Sequence, residues 1–140
     1  MSRRARHQAR YKAVQAIYQA DLGQNSATDL CQQFRQFQDM NDCDHEFFDL
    51  LVRGVLKESA ALDEAYGQHL DRTVEELDPI ERSVLRLAAY ELKFEFETPY
   101  KVVINEAVEL TKTFGAEGGH KYINGVLDKT AKTLRPLEVR

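Results

Sequence analysis

Ten residues near the start of the chain, RRARHQARYK (3–12), hold four arginines and a lysine and no acid. At helical spacing Arg3, Arg6 and Arg10 share one stripe. Arg4, His7, Tyr11 and Tyr18 share another, at offsets of three, seven and fourteen. Guanidinium groups neutralise phosphates and tyrosine rings stack on bases, the two needs of a single-stranded RNA ligand. HKYIN (120–124) repeats that chemistry, with Lys121 beside Tyr122 and Asn124 one turn from His120. Either tyrosine alone is more often a core or rim residue. Two such clusters at opposite chain ends mean more, provided the fold brings them together.

The charge map has the same layout. Residues 1–20 carry a net +5, residues 21–119 hold 9 basic and 21 acidic side chains for a net −12, and residues 120–140 return to +3. In a chain of net charge −4, basic ends point to a polyanion and the acidic middle to a basic partner, although solvated charged faces give the same map. The carboxylates Glu75, Glu76 and Glu81 flank one predicted helix start and are the candidates for that partner.

Other chemistries find less. Cys31, Cys43 and His45 form no CxxC, the remaining histidines are scattered, and two cysteines make no disulfide framework, so neither a metal site nor a cofactor is expected. FGAEGGHK (114–121) lacks the GxxxxGK[ST] of a phosphate loop. It reads either as a flexible connector or as a helix N-terminus whose free N–H groups meet a phosphate. No nucleophile elbow or HExxH is present, and no catalytic residue is assigned. No apolar run approaches the ~20 residues that cross a bilayer. The acid-free, Arg-rich start resembles a transit peptide, but it is poor in serine and carries a structural alanine stripe, which favours a cytoplasmic protein.

The elements that must position these residues are all helical, and nothing alternates at period two. Ala5, Ala9, Ala13, Ala16 and Ala20 give the first helix a small-residue face for close packing, with arginine and tyrosine outward, up to a C-cap at Gly23. A second helix spans 28–37, with Leu30, Phe34 and Phe37 inward. Asp44 caps a third through Phe47, Phe48, Leu51, Val52, Val55 and Leu56, and a separate fourth runs over 60–70. Asp78, Pro79 and Glu81 form a capping-box start, Thr98-Pro99 opens the next helix, and the last follows GAEGG and ends before Pro136. Gly125 inside that last helix implies the close approach of a neighbour. About seven helices in one compact all-α domain, 1–140, is the expectation.

PYKVVINEAVELTKTFGAEGGHKYINGVLDK (99–129) matches the pattern PxKVxINExVELxKxFG followed by KxxNGVLD. RSVLRLAAYEL (82–92) and RRARHQARYKAVQAIYQADL (3–22) match as well. With these motifs in order, the chain resembles the NusB family of bacterial transcription antitermination factors over nearly its whole length. The resemblance implies two three-helix bundles and binding of the boxA element of nascent ribosomal RNA together with NusE, a small-subunit ribosomal protein. It further implies membership of an RNA polymerase antitermination complex. It assigns the RNA surface to Arg4, Arg6, Arg10, Tyr18, Lys121 and Tyr122, with Glu81 nearby. Gly118-Gly119 departs from the acidic or polar pair common in that family, which would ease phosphate approach and loosen the loop.

Two rival readings remain. NusB-like domains also front certain ribosomal RNA methyltransferases as RNA-binding appendages, which would make this chain a fragment. A helical protein–protein adaptor without RNA affinity is the other, and salt separates it, since arginine-borne RNA affinity weakens steeply with added ions.

Overall fold

The computed structural model describes residues 2–115 and 118–139. Ala116 and Glu117, in the middle of the expected GAEGG connector, and Arg140, counted in the basic tail, lie outside the described residues. Among those described there are six α-helices, one 3-10 turn and no strand. The helices are α1 (Arg3–Leu22), α2 (Ala27–Phe37), α3 (His45–Gly67), α4 (Pro79–Phe94), α5 (Tyr100–Phe114) and α6 (Gly119–Leu134), with the 3-10 turn at Val74–Glu76. By its contacts the chain divides into two compact units, Met1–Lys57 and Glu58–Arg140, and α3 runs from the first into the second.

In the first unit Ser2 caps α1, its hydroxyl accepting from the Ala5 N–H at 3.1 Å. Ala5, Ala9, Ala13 and Ala16 are buried as their spacing predicts, beside Val14 and Ile17. Ser26 caps α2. Leu30, Cys31 and Phe34 face the core, where Phe34 meets Phe48 edge-on at 5.6 Å. Phe37, expected inward, is 72% exposed because it ends the helix just as the chain turns away at Gln38. Asp44 caps α3 from outside, accepting from the Phe47 N–H at 3.1 Å, and its own N–H donates to the Ala5 carbonyl at 3.0 Å.

The expected break between a third and a fourth helix does not occur. Lys57, Glu58 and Ser59 interrupt the apolar stripe but include no Gly or Pro, and the backbone ladder continues through them to Gly67.

In the second unit α4, α5 and α6 pack together as a bundle. Asp78 caps α4 with Pro79 at the first position, as the sequence implies. The reciprocal capping box, however, forms at the 3-10 turn, between Thr73 and Glu76. Arg135 closes the bundle from the chain end. Buried to 3% exposure, its guanidinium donates to the carbonyls of Leu92, Thr98, Glu91 and Glu95, the open C-terminal end of α4 and the turn beyond it. Gly125 is exposed, and a Cβ placed on it would meet nothing within 4 Å, so no neighbour among the described residues requires glycine there.

Candidate nucleic-acid interface

On α1 the expected RNA residues separate by depth. Arg4 is exposed and reaches Asp42 at 3.4 Å, with side chains 74% and 69% exposed, a pairing too solvated to hold it. Arg6 is half-buried: its guanidinium lies 4.1 Å over the Phe47 ring and 3.9 Å from the Asp44 carboxylate. Arg10 does not face outward. It is 3% exposed, with its guanidinium 5.0 Å over the same ring, and so braces α1 on α3. An arginine stem long enough to run along apolar surface made this burial possible. The expectation of an outward-facing Arg10 is therefore not met, whereas Arg3 is exposed.

Tyr18 lies two turns beyond Arg10, apart from the arginines. It is half-buried and lines a groove of about 310 Å³ with Gln15, Gln19, Leu22, Phe34 and Gln38.

The second unit gathers a tighter cluster at the start of α6. Gly118, the N-cap, has φ 86°, a left-handed conformation that glycine adopts without strain, which gives this member of the departing pair a local reason. Lys121 is exposed and Tyr122 half-buried. The Tyr122 hydroxyl donates to Asp71 Oδ1 at 2.8 Å and accepts from the Asp71 N–H at 3.2 Å. Arg72 lays its guanidinium 4.5 Å over the Tyr122 ring and grips Asp71 through Nε at 2.7 Å and Nη2 at 3.3 Å. The Arg72 hydrogen bond, then the Tyr122 hydroxyl, lower the Asp71 carboxyl to about 2, while loss of solvent chiefly raises the Tyr122 phenol. The aromatic ring thus has one cation over it, Arg72, and another beside it in the chain, Lys121. The sequence offers no local sign of Arg72, which lies 50 residues from Tyr122 within the acidic middle.

The three acids expected to meet a partner differ too. Glu75 is exposed. Glu76 is exposed but its Oε1 accepts from the Thr73 N–H and hydroxyl, both at 2.9 Å, which lowers its pKa. Glu81 is half-buried, and its Oε2 lies 3.6 Å from where a Gly119 Cβ would stand, at the positive end of α6. Burial first, then Asp78, raise its pKa.

Among the described residues no helix is long and apolar enough to cross a membrane, and no group of three or more His, Cys, Asp or Glu is placed to hold a metal.

The NusB family model matches residues 7–132. The chain belongs to the NusB family. It is 54% identical over 132 residues to the transcription antitermination protein NusB of Idiomarina loihiensis, covering 94% of this chain and 95% of that one. It is 46% identical over 140 residues to that of Burkholderia vietnamiensis, covering 100% and 97%. Among solved structures, T. maritima NusB superposes with a TM-score of 0.77 at 30% identity, over 90% of this chain and 89% of that one. A complex of antitermination factors NusB and NusE with double-stranded RNA matches with a TM-score of 0.80 at 27% identity, over 94% and 99%. The all-helical fold expected of the family is the fold observed.

Proposed function

We propose that this protein is an RNA-binding transcription antitermination factor of the cytoplasm, acting by binding and not by catalysis. Its ligand is single-stranded RNA of the boxA type in nascent ribosomal transcripts, taken together with NusE to help RNA polymerase read through terminators. The observation that carries the reading is the Tyr122 ring under the Arg72 guanidinium at the start of α6, with exposed Lys121 next to it in the chain. A base stacks on such a ring while the cations neutralise its phosphates, at ~1–3 kcal/mol per stacked base. Exposed Arg3 and Arg4, with half-buried Arg6, supply further phosphate contacts from α1, and Tyr18 a second ring. The NusB relative solved with NusE and double-stranded RNA supports an RNA ligand and a NusE partner. Glu75, Glu76 and Glu81 offer the acidic surface that a basic ribosomal protein needs.

The test is titration of labelled boxA-type RNA with and without NusE. Tyr122→Ala should lose ~1–3 kcal/mol of RNA affinity, and Tyr122→Phe should retain most of it, because stacking uses the ring. Equal affinity of wild type and Tyr122→Ala, with the variant folded, would remove this ring from the site. Binding that ignores added salt would favour the adaptor reading instead.

A further inference from the structure

A glycine at an exposed position inside a helix weakens that helix, and at Gly125 nothing among the described residues accounts for it. At 3.6 residues per turn, Lys121, Lys129 and Lys132 fall with Gly125 inside an arc of roughly 80°, spread along about 16 Å of α6. All three lysines are exposed, and none forms an ion pair with another described residue. The acid at the edge of this arc, Asp128, is exposed and accepts from the Asn124 amide at 3.4 Å. Tyr122 borders the other edge, roughly 20° beyond Lys129.

We infer that this face of α6 is a track for the sugar–phosphate backbone of single-stranded RNA leading away from Tyr122. The inference rests on the RNA reading above and extends it from a stacking point to a path. A strand laid along a helix is normally held off by side chains. Over Gly125 it can approach the helix backbone, while ammonium groups one turn to either side neutralise its phosphates. Lysine makes point contacts with phosphate and reads no base, so the track positions the strand without specifying its sequence. An acidic protein segment would meet the same charges, but the ring bordering the stripe favours a ligand that carries bases.

The test uses the full chain with NusE and labelled boxA-type RNA, titrated across a salt series. Lys129→Ala with Lys132→Ala should lower the slope of log affinity against log salt by about 1.4, roughly 0.7 for each lysine–phosphate pair removed, and leave the melting temperature unchanged. Gly125→Ala should raise the melting temperature by about 3–5 °C. It should nonetheless weaken RNA binding about fivefold at 0.1 M salt, which is what a single neutralised phosphate contributes there. Wild-type slope and affinity in these variants would overturn the track. If Lys121→Ala with Tyr122→Ala still loses RNA in that case, the RNA reading stands without it. A wild-type protein that binds no RNA overturns both. Weaker binding of NusE alone by Gly125→Ala would show that the face docks protein and would likewise overturn the track.

Discussion

Replacing Arg10 with alanine separates a binding arginine from a structural one. Its side chain is 3% exposed and its guanidinium lies 5.0 Å over the Phe47 ring, itself buried. A desolvated cation–π contact is worth ~2 kcal/mol or more, and the buried stem adds apolar contact with its surroundings. Arg10→Ala should therefore cost about 2–3 kcal/mol and lower the melting temperature by roughly 5–10 °C. The folded variant should keep the wild-type salt slope for RNA, because a buried guanidinium neutralises no phosphate. Arg4→Ala should do the reverse. Its ion pair with Asp42 is solvent-exposed, so stability should change by less than ~1 kcal/mol, while the slope falls by about 0.7. Thermal melts followed by circular dichroism, paired with RNA titrations at several salt concentrations, give both quantities. An Arg10→Ala protein that melts like wild type and whose slope drops by about 0.7 would refute the assignment of Arg10 to the interior.

The Asp71 carboxyl should titrate near 2 in the folded protein and should rise toward its ordinary value of about 4 in Arg72→Ala, where the Tyr122 hydroxyl still lowers it, as read by carbonyl NMR. Because the folded value is depressed, the stabilisation from the Asp71–Arg72–Tyr122 tie is fully present above pH ~4 and is lost as pH falls toward 2; a folded midpoint near 4 would break this account. Glu75→Lys should slow association with NusE more than it alters dissociation, whereas Glu76→Lys should also release the Thr73 cap and loosen the 3-10 turn; unchanged rates in Glu75→Lys would place NusE elsewhere. Burial, then the Asp49 charge, push the Cys31 thiol up to about 11, and burial also raises Cys43. Neither should react with a thiol reagent at pH 8 before the protein unfolds, and prompt labelling of the native state would contradict their burial.

The family was legible in separated motifs, and the ends of most helices in residues that act within one turn. Asp44 and Asp78, the caps expected from sequence, bond N–H groups three and two positions along their own chain, so a sequence window contains the whole interaction; Ser2 and Ser26, caps found only in the structure, act over the same short range. The alanine stripe of α1 was equally clear, because a run of small side chains at helical spacing serves close packing. Depth was not legible for long amphipathic side chains. Arg6 and Arg10 share a stripe and both lie over Phe47 of another helix, yet Arg10 is buried and Arg6 only half-buried, a depth that nothing within α1 signals. Phe34 and Phe37 share a face, but the chain turns at Gln38 and leaves Phe37 in solvent. Continuity of α3 depended on backbone bonds that an interrupted apolar stripe does not report. Arg72 came to Tyr122 through packing across 50 positions, and the charge of its own neighbourhood had the opposite sign. Gly125 shows the division most simply: sequence establishes that a helix carries a glycine at a cost, and only the packed structure reveals that the space above it is open. Local hydrogen bonding and periodicity are properties of a segment, whereas burial and long-range ion pairing belong to whatever the other segments bring against it.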